Sequence, residues 1–146
     1  MGIGRQMLNS GTRGMVAAMA MSGTRALTTS LGWVDQPPPE AVLHQKAGGL
    51  MAKIPKGKHQ AAAELAHWTM GFVAGAGYAL IPEAARRFRW AGAAYGLAVL
   101  TGFEAVAAPV LGLSQAKQAR PVERLVFLAD HLLYGVVLDP PRHEHA

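Results

Sequence analysis

The chain has 146 residues, the length of one domain, and only 16% of them are charged. Soluble domains carry about 25% charged residues, so this composition favours a lipid environment. The 14 Lys and Arg residues outnumber the 9 Asp and Glu residues, but they flank apolar segments instead of lining one helix face, which argues against nucleic-acid binding. The absence of cysteine excludes disulfides, thiolate metal sites and a cysteine nucleophile.

Apolar segments at 7–33, 62–82, 90–113 and 121–138 predict four helices, with a polar, proline-rich connector at 34–60. The segment at 90–113 is the clearest, because its 24 residues contain Glu104 as their only charge. Such a segment can cross a hydrocarbon core about 30 Å thick. We therefore expect an all-α integral membrane bundle of four transmembrane helices, forming one membrane domain over residues 1–146.

Two alternatives bear on this interpretation. The first segment has Arg13, Arg25 and no acidic residue, so a removable leader is an alternative to a retained helix. A soluble four-helix bundle rich in Ala and Gly is the alternative to a membrane bundle, but its exposed faces would need regularly spaced charges. The second and third segments offer almost none.

The chain also contains an internal repeat. Residues 23–32 align with 102–112, and His67-x-x-x-Gly71 aligns with His131-x-x-x-Gly135. This pattern predicts two copies of a two-helix unit, and it favours a first helix that is retained. Because each unit has an even number of spans, the two copies should be parallel to each other.

Glycines predict where the helices pack closely: Gly71, Gly75, Gly92, Gly96 and Gly135. Two pairs have small-xxx-small spacing, which allows close backbone approach. A hairpin turn near residues 85–86 would place Gly75 against Gly96 and His67 against Glu104.

The same register predicts an intramembrane polar cluster of Arg25, His67, Glu104, Asp130 and His131. An unpaired charge at the centre of a membrane helix costs about 2.5 to 3.5 kcal/mol, so these groups should pair and fix the helix register. A proton- or ion-conducting path through His67, Glu104 and His131 is the alternative, because histidine titrates near neutrality. Haem ligated by His67 and His131 is a further alternative; otherwise we expect no cofactor and no metal.

Several short motifs resemble the YagU-like family of bacterial inner-membrane proteins. They are the prolines at 37–39, His67 with GAGY at 75–78, PVLGL at 109–113 and HLLYG at 131–135. The resemblance implies a multi-helix inner-membrane protein without an established biochemical activity, in a family associated with acid tolerance.

These observations predict a non-enzymatic, multi-pass protein of the bacterial inner membrane. It would act as an accessory subunit or a stress-tolerance factor. Its expected partners are the lipid bilayer and either further copies of itself or a larger membrane complex, with no nucleic acid.

Overall fold

The computed structural model describes residues 2–34, 49, 52–110 and 120–139, and these residues form an all-helical bundle. Its long helices are α1 (Ile3–Ser30), α2 (His59–Tyr78), α3 (Ala91–Gly102) and α4 (Pro121–Leu138). Shorter elements are a 3₁₀ turn at Lys56–Lys58, a helical turn at Glu83–Arg86, a π-helical turn at Phe103–Ala107 and a short helix at Ala108–Val110. Most of the predicted connector, with its prolines, lies outside the described residues, as does the end of the third segment at 111–113.

Local sequence explains two of the helix ends. At the end of α1, Gly32 adopts a φ of 72°, and its N–H donates to Thr29 O. The next N–H, that of Trp33, donates to Thr28 O at 2.9 Å, which completes a Schellman motif. At the start of α4, Pro121 occupies the first turn, and the Glu123 carboxylate accepts the N–H of Arg120 at 2.8 Å.

Glycines let the helices cross at short range in two pairs, α1 with α2 and α3 with α4. A Cβ at Gly14 on α1 would collide with the backbone of Gly71 and Gly75 on α2. A Cβ at Gly92 on α3 would collide in the same way with Gly135 and Asp139 on α4. In each pair, therefore, one glycine contacts two backbone positions that lie four residues apart.

The core lies where α1 packs against both α2 and α4. Its buried apolar cluster consists of Ala17, Met21, Tyr78, Tyr134 and Leu138. Both tyrosine hydroxyls have acceptors: Tyr134 donates to Gly71 O at 2.8 Å, and Tyr78 donates to the Asp139 carboxylate at 2.5 Å. The two hydroxyls therefore join α2 to α4 without leaving a buried donor unsatisfied.

The predicted glycine-to-glycine contact between the second and third segments is wrong. Gly75 packs against α1, and Gly96 packs against His131 and Gly135 of α4. Tyr95 stands between α2 and α3, with its ring 5.1 Å from that of Tyr78 and its hydroxyl 2.7 Å from Ala74 O. A side chain of this size keeps the two backbones from the close approach that small residues would allow.

Within the parts of the chain that the structure describes, no helix combines the length and the apolar character that crossing a membrane requires. The predicted bundle of four transmembrane helices is therefore wrong. The predictions that depend on it are wrong as well: the multi-pass accessory subunit or acid-tolerance factor, the proton or ion conductor, the membrane haem subunit and the location in the bacterial inner membrane.

The reason that a helix is not suited to crossing a membrane differs from helix to helix. In the third segment the regular α-helix ends at Gly102 after 12 residues, about 18 Å, and a π-helical turn that contains Glu104 follows it. Helix α4 coincides with the predicted segment at 121–138, but it contains Glu123, Arg124 and Asp130. Helices α1 and α2 are longer, but they are rich in small and weakly polar residues, and α1 contains three arginines.

Candidate functional site

Arg25 is the centre of a buried polar cluster at the junction of α1, α2 and α4. Its side chain is only 5% exposed, and its Nε lies 3.3 Å from Met21 O and 3.9 Å from an oxygen of Asp130. Its Nη2 donates to Nε2 of His67. Burial lowers the pKa of Arg25, and the charges of Asp130 and Glu64 oppose that shift.

Asp130 brings α4 into this cluster. The residue is 4% exposed, and Thr24 Oγ1 donates to its Oδ1 at 2.5 Å. Burial raises the pKa of the Asp130 carboxyl, although the Thr24 hydrogen bond and the positive charge of Arg25 both act to lower it. Two neighbouring residues of α1, Thr24 and Arg25, therefore hold the same carboxyl group of α4.

His67 brings α2 into the cluster as a neutral acceptor. A guanidinium group only donates, so the Nε2 that meets Arg25 Nη2 must carry a lone pair. Burial is the main cause that lowers the pKa of His67 to about 3, and the charges of Arg25 and His131 add to the shift. At neutral pH this imidazole is therefore uncharged.

His131 completes the set from α4. Its Nδ1 lies 2.8 Å from Phe127 O, so this nitrogen carries the proton and donates to the carbonyl. Burial lowers the pKa of His131, whereas the Phe127 hydrogen bond and Asp130 oppose the shift. The cluster therefore contains two neutral histidines beside one buried ion pair.

Glu104 lies at the edge of the cluster. It is part of the π-helical turn at Phe103–Ala107, and its side chain is exposed, but its charge acts to raise the pKa of His131. His67 contacts Arg25, where the sequence predicts a contact with Glu104. The structure therefore brings Arg25, His67, Asp130 and His131 together and places Glu104 within electrostatic range of His131.

Sequence reasoning missed a second polar contact between α1 and α2, one turn away. Ser22 Oγ donates to the Glu64 carboxylate, and Trp68 Nε1 donates to Ser22 Oγ at 3.1 Å. A signal for it was present, because Ser22 precedes Arg25 by three residues and Glu64 precedes His67 by three. Residues three apart share a helix face, so both pairs belong to one polar seam.

The cluster offers little to a metal or to haem iron. Among the described residues, no group of three or more His, Cys, Asp or Glu side chains could hold a metal ion. Haem ligation by His67 through Nε2 would require the contact of that atom with Arg25 to break. The arrangement is suited instead to holding three helices in one register.

Comparisons with known protein families, with curated proteins and with solved structures found no match. The resemblance to the YagU-like family therefore stays a prediction from short motifs.

Proposed function

We propose that this protein is a non-enzymatic helical subunit that works by self-association, with the outer face of α1 as its contact surface. The observation that carries the proposal is a row of large apolar side chains that the fold leaves uncovered. Leu8, Val16, Met19 and Leu27 are 58%, 52%, 39% and 60% exposed. Leu31, four residues after Leu27, extends the row at its C-terminal end and is 54% exposed.

The spacing of this row is that of a helix-pairing seam. Leu8, Thr12, Val16, Met19, Gly23 and Leu27 follow one another at intervals of four, four, three, four and four residues. Intervals of three and four keep these positions within an arc of about 100° on one helix face. Thr12 is a polar residue in this row. Its hydroxyl donates to Leu8 O at 2.9 Å, so it does not require a water or a polar partner.

The interior, by contrast, has little polar capacity to offer a ligand. Arg25 contacts both His67 and Asp130, and Ser22 contacts both Glu64 and Trp68. Among the buried side-chain nitrogen and oxygen atoms of the described residues, Thr29 Oγ1 alone lacks a hydrogen-bond partner. A catalytic role would need polar groups that face a substrate, and this cluster directs its groups at one another.

A second copy of the chain fits this surface in an antiparallel arrangement. Arg5 and Arg13 both lie in the first half of α1, and α1 contains no acidic residue. A parallel pair would place each arginine beside its own copy. An antiparallel pair would instead separate the two copies of each arginine, and it would place Arg5 near the partner's helix C-terminus, whose partial negative charge favours cations.

The energy available matches a reversible dimer. Full burial of a large apolar side chain contributes about 1.5 to 3 kcal/mol, and these side chains are roughly half exposed. Five of them on each of two copies would therefore contribute on the order of 10 kcal/mol. Association costs about 4 to 15 kcal/mol, so we expect a dimer that forms with rising concentration.

Sedimentation velocity across a range of protein concentrations tests the proposal. Wild type should shift from one copy to two, and Leu27→Glu should stay monomeric over the same range. Leu65→Glu is the matched control, because Leu65 lies on α2 and is also 60% exposed. It should dimerise as wild type does.

Three results would contradict self-association through α1. The first is a wild type that stays monomeric at every concentration. The second is an equal loss of association in Leu27→Glu and Leu65→Glu, which would indicate general apolar adhesion. The third is binding to lipid vesicles by a chain that never dimerises.

Engineered cysteines test the antiparallel order, since the natural chain has none to interfere. Met19→Cys, near the middle of the seam, should form a disulfide-linked dimer under mild oxidation. Leu8→Cys should not, because the two copies of residue 8 would lie at opposite ends of the seam. The reverse result would indicate a parallel pair.

A further inference from the structure

We propose that a cleft at one end of the bundle binds a small phosphate-type oxyanion, either a free phosphate compound or the phosphate of a lipid headgroup. The cleft lies between the first half of α1 and the helical turn at Glu83–Arg86. It has a volume of about 190 Å³. Its lining residues are Gln6, Asn9, Ser10, Arg13 and Arg86.

Helix periodicity brings the α1 side of the cleft together. Gln6, Asn9, Ser10 and Arg13 stand at i, i+3, i+4 and i+7, which is one face of the helix. They supply an amide, a second amide, a hydroxyl and a guanidinium, all of which can donate hydrogen bonds. None of the described residues that line the cleft carries a carboxylate.

Arg86 reaches the cleft from the other side in a fixed position. Its Nε donates to Ile81 O at 2.9 Å, and its guanidinium carbon lies 6.0 Å from the centre of the Tyr78 ring. These contacts hold the base of the guanidinium group. They leave its two Nη groups to act as a planar pair of donors, which matches two oxygens of a phosphate.

The acidic groups of this end are committed to other partners. Glu83 forms an ion pair with Arg87 at 2.9 Å, and Asp139 accepts the hydroxyl of Tyr78. Among the described residues, no ion pair joins Arg13 or Arg86 to a carboxylate. Two arginines thus share a concave surface without a counter-charge, and a dianion with several acceptor oxygens supplies both the charge and the acceptors.

A titration with inorganic phosphate, followed by ¹H–¹⁵N NMR at constant ionic strength, tests this site. Amide signals of Asn9, Ser10 and Arg13 should shift and saturate with phosphate and should not respond to sodium chloride. Arg13→Gln or Arg86→Gln should raise the phosphate Kd at least tenfold. Arg87→Gln, which removes a positive charge from the same end but not from the cleft, should change it less than twofold.

Vesicles distinguish the two sources of phosphate. Binding to phosphatidic acid vesicles, but not to phosphatidylcholine vesicles, with the same dependence on Arg13 and Arg86, would identify a lipid headgroup as the ligand. Phosphate binding without vesicle binding would identify a free phosphate compound. The proposal is overturned if neither probe binds, or if Arg87→Gln weakens binding as much as Arg13→Gln.

Discussion

Arg25 on α1 and Asp130 on α4 form a buried ion pair, with Nε 3.9 Å from Oδ2 and both side chains 5% exposed. Removal of one partner from such a pair leaves a charge buried without its counter-charge, which typically costs about 3 to 5 kcal/mol. Asp130→Asn should therefore lower the free energy of unfolding by about 3 kcal/mol. Urea denaturation monitored by circular dichroism measures this loss.

A double-mutant cycle separates pairing from general damage. Arg25→Met with Asp130→Asn removes both charges, so the double variant should lose about 2 kcal/mol less than the sum of the two single losses. Glu83→Gln is the control for an exposed pair, because Arg87 and Glu83 are 70% and 71% exposed. Its loss should be below about 1 kcal/mol. Strict additivity of the buried substitutions would show that Arg25 and Asp130 are not coupled.

The neutral state of His67 predicts a loss of stability in mild acid. Its pKa is about 3 in the folded chain, against an ordinary value of 6.5, so the unfolded chain binds more protons between these two values. The contribution of His67 is fully present above pH 6.5 and is lost as the pH falls toward 3, with a slope of up to about 1.4 kcal/mol per pH unit. His131 adds to the slope, because its pKa is also lowered in the folded chain. Asp130 opposes the slope at the acid end, because its raised pKa lets the folded chain bind a proton more readily than the unfolded chain.

Urea denaturation at a series of pH values between 7 and 4 tests this dependence. His67→Gln keeps an acceptor for Arg25 but cannot bind a proton, so its pH profile should be flatter than that of wild type. Tyr95→Phe is the control, because it removes a hydrogen bond to Ala74 O and no histidine, and it should keep the wild-type slope. Equal slopes in wild type and His67→Gln would show that His67 is not held neutral.

Two glycines of α1 should respond in opposite directions to the same substitution. A Cβ at Gly14 would lie 2.8 Å from Gly75 Cα and 2.8 Å from the Tyr134 hydroxyl, and it would also meet Gly71 O. Gly14→Ala should therefore destabilise the fold by about 1 to 3 kcal/mol. Gly23 has no atom within 4 Å of its Cβ position, so Gly23→Ala should stabilise the helix by roughly 0.5 to 1 kcal/mol. Thermal or urea denaturation at low protein concentration compares the two, and equal effects would contradict the close crossing of α1 and α2.

The hydroxyl of Tyr134 should contribute measurably to stability. It donates to Gly71 O at 2.8 Å, and the residue is 3% exposed. Tyr134→Phe should cost about 1 kcal/mol, which is the usual net contribution of a buried hydrogen bond. Tyr95→Phe removes a similar bond, to Ala74 O, from a partly exposed residue. Its cost should be smaller when both variants are unfolded in urea, and a larger cost for Tyr95→Phe would reverse the order we expect.

Helix register, read from the sequence, accounts for much of the polar cluster. Turns near residues 85 and 116 align His67 with residues 130 and 131. Arg25 lies seven residues before Gly32, which is close to the eight residues that separate Glu104 from Gly112. Glu104 lies in a π turn at Phe103–Ala107 and is exposed, so it acts on His131 through its charge and not through a contact with His67. Nothing in the composition of that stretch indicates a π turn, so the sequence predicts a regular helix there.

The helix that each glycine contacts is harder to predict than the positions of the glycines that allow close packing. Gly75 and Gly96 were expected to meet because α2 and α3 are consecutive, but Tyr95 fills the space between those helices. Each glycine contacts another helix, α1 for Gly75 and α4 for Gly96. The prediction of membrane helices is wrong because a low content of charged residues does not by itself indicate contact with lipid. Alanine and glycine lower the charge content without supplying the hydrophobicity of Leu, Ile or Val.

Helix α3 packs mainly against one other helix, as α2 does, but it supplies none of the buried polar contacts around Arg25. Helix α1 packs against both α2 and α4, whereas α3 packs mainly against α4 and reaches α2 through Tyr95. Departure of α3 would therefore leave the contacts among Arg25, His67 and Asp130 in place. In terms of native-state dynamics, α3 is the unit that opens at the lowest free energy, so its amide protons should exchange with solvent while those of α1 remain protected.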